Sequence, residues 1–249
     1  CVIGLLFVLP ILAFLFTMLL EDYPLHMELT LRHIRDCLNA RGVLGLKNSL
    51  LLSAGTALGG TVIAAFAAYA AARHRGSLAR SVHLLSTLTL SIPGLVLGLA
   101  YVLAFKRTAL YETMGILIFS SIIHFFTTPY LMLYQTFGKL NANLEGTGRV
   151  LGVPPFRLFA NVFLPQCAET LLDMFSYFFL NAMVTISAVS FLATAQTRPL
   201  SMLVTQYSDQ INPEGAAVLS FFILTINLLV RGIVFLLKHL LCTPARAAQ

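Results

Sequence analysis

Six stretches of the chain run for about twenty residues each with almost no charge, and that repetition decides the fold class before any motif is read. They are Cys1–Leu20, Ser49–Ala72, Leu84–Phe105, Gly115–Tyr134, Met174–Ala195 and Ala216–Leu237. The hydrocarbon core of a bilayer takes roughly 20 apolar residues per helix. Open strands would leave backbone groups unpaired in lipid, so the runs predict an all-α bundle of six transmembrane helices. Of 249 residues, 58% are hydrophobic and 10% charged, where a soluble domain carries about 25% charged residues. The net charge of +6 sits in short loops between the runs, where cations mark the cytoplasmic face of a membrane. No basic stripe is interleaved with aromatics, so the expected surroundings are membrane lipid and no nucleic acid. Cys1, Cys37, Cys167 and Cys242 form no CxxC pair, and neither a disulfide framework nor a zinc site is implied. Cys1 is not a start methionine and no basic segment precedes the first run, so the chain is expected to be cut from something longer, without a signal peptide.

Between the first two runs lies Glu21–Lys47, a polar segment with balanced charges and an expected amphipathic helix around Leu29–Leu38. Lysines and arginines divide almost evenly between the two sides that six spans define, so charge alone leaves the orientation open. Within the runs, Gly55 with Gly59 and Gly94 with Gly98 are GxxxG pairs, expected to let helix backbones approach closely.

The longest interruption is Lys139–Pro165. Asn143 reads as a helix N-cap, with Glu145 in the first turn where a carboxylate suits the helix dipole. That helix is expected to stop at Gly152, because Pro154 and Pro155 cannot continue it. Pro155 then opens a second short helix with Phe156, Phe159 and Phe163 on one face, closed by Leu164 and Pro165. Two short helices meeting at a sharp bend suit docking to a partner better than they suit chemistry.

The fifth run carries Ser176, Asn181, Thr185, Ser187 and Ser190, and these predict a helix lining a polar path. The competing account is that its hydroxyls bond the backbone one turn back. Glu169 and Asp173, four apart, are expected on one face at the membrane interface. His124, near Pro129, is expected to be a hydrogen-bonded interior group rather than a proton relay. No GxxxxGK[ST] loop occurs, so the chain is not expected to hydrolyse nucleotide by that route. Gly146, Gly148 and Gly152 miss the dinucleotide spacing, and His26 with His33 lack a third metal ligand. No catalytic residue, metal or cofactor is assigned.

At Gly152 and Val162-Phe163-Leu164-Pro165 the chain resembles the permease subunits of binding-protein-dependent ABC importers. Those carry a Glu-Ala-Ala start, a glycine some six residues on and a hydrophobic-x-Leu-Pro end. Here the Glu-Ala-Ala slots hold Gly146-Thr147-Gly148, with Glu145 one place early. Lys47-Asn48-Ser49-Leu50, Pro93-Gly94-Leu95-Val96-Leu97-Gly98 and His124 to Pro129 spread the likeness along the chain. The resemblance implies a single permease domain over residues 1–249 of a multi-pass protein of the bacterial inner membrane, its N-terminus cytoplasmic. It implies coupling helices in Lys139–Pro165 that dock a separate ATPase, with Glu145, Arg149, Leu151, Gly152, Pro154, Pro155, Phe156, Arg157, Leu164 and Pro165 as coupling residues. It also implies a dimer of ATPase subunits, a second permease half and an external solute-binding protein. Asn181 to Val189, with Arg198-Pro199-Leu200-Ser201, looks most like the iron(III), polyamine and phosphonate branch, nearest its 2-aminoethylphosphonate type. Some permeases of that branch fuse two six-helix halves, which makes this chain a candidate second half. The other classes weighed are a secondary transporter, which predicts inverted repeats and midplane charges, and a membrane assembly subunit, which leaves the bent basic loop unexplained.

Overall fold

The computed structural model describes residues 2–22, 26–74 and 76–246. Thirteen helices carry the described residues: α1 (Val2–Thr17), α2 (Arg32–Cys37), α3 (Ala40–Arg73), α4 (Ser77–Leu88), α5 (Gly94–Phe105), α6 (Met114–His124), α7 (Thr127–Lys139), α8 (Leu144–Val150), α9 (Pro155–Leu158), α10 (Leu164–Gln166), α11 (Ala168–Val184), α12 (Leu200–Asp209) and α13 (Pro213–Arg246). One element departs from an all-helical chain. Strands β1 (Leu20–Asp22) and β2 (His26–Leu29) pair antiparallel after α1, and the polar helix expected over Leu29–Leu38 shortens to α2.

The apolar runs do not become six uninterrupted spans. Among the described residues, two helices are long and apolar enough to cross a membrane alone, within α3 and α13, and four do so if each bent pair counts once. The third run breaks by 111° between α4, with the 3-10 turn Thr89–Ser91, and α5. Pro93 forces this, because the residue before a proline is pushed out of the helical region, and Ile92 is extended with ψ 117°. The fourth run bends by 54° between α6 and α7, where Pro129 has no N–H for the carbonyl four residues back. The fifth run is helical only to Val184, and Thr185 is extended with ψ 138°. Val184, Thr185 and Ile186 are all β-branched, which lowers helix propensity and favours the extended backbone found at Thr185.

Helix α3 is the axis of the bundle. Asn39 caps its start, its side chain accepting from the amides of Arg41 and Gly42 at 3.0 Å each. Its 34 residues make a rod of about 50 Å. Small residues let neighbours close on it. A Cβ on Gly55 would lie 2.6 Å from Ile118 of α6, and one on Gly60 2.8 Å from the Phe178 ring of α11. Around its far half, Tyr130, Phe137, Phe163 and Phe178 are fully buried in one core shared by α3, α7, α11 and the segment after α9. The GxxxG pair in α5 also serves packing, since a Cβ on Gly98 would sit 2.9 Å from the Ala188 carbonyl oxygen.

Candidate functional site: a docking elbow and a charged cleft

Two features stand out at different levels of the bundle. The first is the elbow of α8 and α9. Gly152 sits at φ +67° and closes α8 in a Schellman turn: its amide donates to the Arg149 carbonyl at 3.1 Å and that of Val153 to the Gly148 carbonyl at 2.9 Å. Pro155 then occupies the first turn of α9. The start of α8 differs from the expected cap. Asn143 is itself helical and makes no side-chain cap; the side chain of Asn141 forms an Asx turn ahead of the helix, accepting from the Asn143 amide at 2.9 Å.

The aromatic face also differs. Phe159 and Phe163 are buried, whereas Phe156 is 71% exposed. A π-turn over Phe159–Phe163 makes the difference, its end marked by the Leu164 amide donating five residues back to the Phe159 carbonyl. Pro165 has no N–H for the Asn161 carbonyl, and the wider turn relieves its ring against that oxygen. Phe156 therefore joins Val150 and Leu151, also highly exposed, with Arg149, Pro154 and Arg157 exposed around them. Leu164 is half-buried and Pro165 is exposed on the side leading away from the tip.

Glu145 is not part of that exposed surface. It turns inward to Arg73 at the end of α3, whose Nε and Nη2 donate to its two carboxylate oxygens at 2.6 and 2.5 Å. Arg73 also donates to the carbonyls of Phe137, Leu140 and Asn141 and lies 5.2 Å from the Phe163 ring centre. Tyr69 packs on Phe137, Phe159 and Phe163 one turn earlier. Arg73 was legible only as one cation among several ending the second run.

The second feature is a cleft of about 380 Å³ between α7, α11 and α13, whose lining includes Asp173, Ser176, Tyr177, Asn181, Arg231 and Lys238. Lys238 pairs with Asp173 at 2.5 Å, so Asp173 works across helices rather than with Glu169. Asn181 donates to the Tyr177 carbonyl one turn back at 2.8 Å and still faces the cleft. Of the polar residues expected on one helix, Ser176 and Asn181 come together here.

Thr185, Ser187 and Ser190 do not join them, because α11 has ended. They lie in residues 185–199, which fold against α5 and α6. Ser187 reaches the Gly94 position beside His124, Ser190 donates to the Ser187 carbonyl at 3.0 Å, and the Thr185 carbonyl accepts from Ser201 at 2.6 Å. His124 is not held by the expected hydrogen bond: its Nδ1 is buried without a partner. Asn48 and Ser49 fix this segment to α3. The Asn48 amide donates to the carbonyls of Gln196 at 2.7 Å and Arg198 at 3.1 Å, and Ser49 Oγ accepts from the Leu200 amide at 2.7 Å. The bundle thus has an elbow at the Arg73 end of α3 and a folded loop at the Asn48 end.

The helical bundle thus carries an exposed elbow braced by its central helix and a charged cleft between α7, α11 and α13. The chain belongs to the family described as binding-protein-dependent transport system inner membrane component, which it matches over residues 60–241. It is 28% identical over 194 residues to the Fe(3+)-transport system permease protein FbpB 2 of Haemophilus influenzae, covering 77% of this chain and 38% of that protein. It is 29% identical over 124 residues to a spermidine/putrescine transport system permease protein PotC homolog of Mycoplasma genitalium, covering 48% of this chain and 44% of that one. The chain thus spans less than half the length of these curated relatives. Its fold matches a bacterial ABC transporter involved in the import of the acidic polysaccharide alginate, with TM-score 0.76 and 15% identity over 96% of this chain and 91% of that one. A second match, with TM-score 0.70 and 12% identity over 84% and 82% of the two chains, is to an alginate ABC transporter in complex with alginate pentasaccharide-bound periplasmic protein. The chain is a transporter membrane subunit of the inner membrane, not itself an enzyme.

Proposed function

We propose that this chain is one permease half of an ABC importer for a small polar solute, with six membrane crossings completed by α1 and α11. The α8–α9 elbow faces the cytoplasm and docks an ATPase subunit. A second permease half closes the path, and an external binding protein delivers the solute. The observation that carries this reading is the elbow itself: exposed Val150, Leu151 and Phe156 on a frame fixed by Arg73 and Glu145. Apolar residues at such exposure, set in a rigid polar mount, are what a protein partner buries. The relatives named for Fe(3+) and for spermidine/putrescine support the iron(III) and polyamine branch; the phosphonate type rests on the sequence likeness alone. Co-purification from detergent tests the proposal. An ATPase subunit should come down with the intact chain and be lost when Leu151 and Phe156 are both changed to serine. A chain purified at normal yield with no ATPase would remove the importer reading.

A further inference from the structure

The cleft between α7, α11 and α13 has a charge balance that discriminates among solutes. Its one carboxylate, Asp173, is already engaged by Lys238 at 2.5 Å. Arg231 lies seven residues before Lys238 on α13, about 10 Å further along the axis, and is the only charged residue between Glu214 and Lys238. It is exposed to the cleft, and among the described residues it makes no hydrogen bond or ion pair. A guanidinium within a lipid-crossing helix is tolerated where it faces a water-filled cavity or a partner charge, and such residues mark ion and substrate pathways. Around Arg231 the remaining polar groups add donors: the Tyr177 and Ser176 hydroxyls and the Asn181 amide, which has one N–H left after its bond to Tyr177. A cationic solute would meet an uncompensated positive charge here and no free carboxylate.

Resting on the permease reading above, we propose that this cleft is an oxyanion site. It takes the carboxylate, phosphate or phosphonate group of the transported solute, with Arg231 holding two of its oxygens as a planar fork. Lys238 sets the field and Asp173 moderates it, while Asn181 and Ser176 orient the group. A polyamine or a bare metal cation is disfavoured at the same place.

The test is binding to the protein as it purifies, with or without an ATPase attached, in nanodiscs of phosphatidylcholine, without nucleotide, at matched ionic strength. Methylphosphonate and acetate should each raise the thermal midpoint in a dose-dependent way, and spermidine should not. Arg231→Gln should weaken the apparent affinity for methylphosphonate tenfold or more, whereas Asp173→Asn, which frees Lys238, should tighten it several-fold. These opposite signs separate a binding role from simple loss of packing. A response unchanged in both variants, or one given by spermidine alone, overturns the proposal. Phosphatidylglycerol nanodiscs distinguish the source of the anion. If that lipid raises the midpoint through Arg231 and methylphosphonate does not, the cleft is a headgroup site and the solute assignment falls. None of these readings depends on whether an ATPase co-purifies, so failure of the anion site and failure of the permease reading are separable.

Discussion

Arg73 and Glu145, seventy-two positions apart in sequence, form a two-point ion pair that bolts the elbow to the central helix. The Arg73 side chain is 7% exposed and that of Glu145 22%, so water screens the pair only partly. Glu145→Ala would strand a buried guanidinium, and the expected cost is about 3 kcal/mol, the low end for breaking a buried pair. The lowered thermal midpoint should appear together with loss of ATPase co-purification, because the elbow loses its mount.

The same pair sets a pH dependence. Burial is the largest single influence and pushes the Glu145 carboxyl up, but the hydrogen bonds from Arg73 and from its own backbone amide, with the charges of Arg73 and His74, together outweigh it, and the group ends below its ordinary value. A depressed folded pKa means a contribution fully present above the unfolded value, about 4.3, and lost as pH falls through the lowered folded value. The difference in thermal midpoint between the parent and Glu145→Ala should therefore hold at neutral pH and shrink only in acid below that value. A difference that vanished near pH 6 would assign the effect to another group.

Gly152 carries the bend by conformation and not by crowding, since a Cβ there would meet nothing within 4 Å. Gly152→Val should cost about 1–2 kcal/mol from the left-handed backbone alone, and Gly152→Asn less. Membrane insertion should be unaffected, and uptake should be uncoupled from ATP hydrolysis in the valine variant. Normal uptake at normal expression would show that the bend is dispensable.

How much of this was legible in the sequence depends on the range of the cause. Gly152, Pro154 and Pro155 act within a few residues, so the Schellman stop and the new helix at Pro155 could be read directly. Pro93 and Pro129 were equally visible, yet the apolar runs around them read as continuous because hydropathy has no direction. The π-turn was harder, for it needs Pro165 to be set against the carbonyl of Asn161 inside a helix not yet known to continue. Pairings across the fold were beyond reach: nothing local joins Arg73 to Glu145, Asn48 to Gln196, or Asp173 to Lys238. Thr185, Ser187 and Ser190 share one apolar run with Asn181, and hydropathy does not mark the point inside that run where the helix ends, at Val184.

At the opposite end of α3, Asn48 is 5% exposed and satisfies two carbonyls of the 185–199 segment. Asn48→Ala should cost about 2 kcal/mol, as acceptors left without donors in a dry site do. Amide exchange should rise at Leu200, whose N–H is held by the neighbouring Ser49. Exchange unchanged there would mean that the segment is held by its apolar contacts alone.

Ile211 ends α12 at φ 56°, an uncommon place for a β-branched residue, and is 91% exposed. Ile211→Gly should stabilise the chain by about 1 kcal/mol by relieving the left-handed strain, seen as a higher thermal midpoint. A lower midpoint would mean that the isoleucine side chain is buried against a partner subunit.

The wide turn at Phe159–Phe163 has a mechanical consequence. On its far side the Cys167 amide still donates to the Phe163 carbonyl at 3.2 Å, and the Leu171 amide to the Cys167 carbonyl at 2.9 Å. Hydrogen bonding thus passes from α9 into α11 without a slack stretch of chain, and the exposed Phe156 stands on the same continuous shaft as Asp173 and Asn181. The tip of the elbow and the wall of the cleft are therefore two places on one hydrogen-bonded rod, not two bodies joined by a loop.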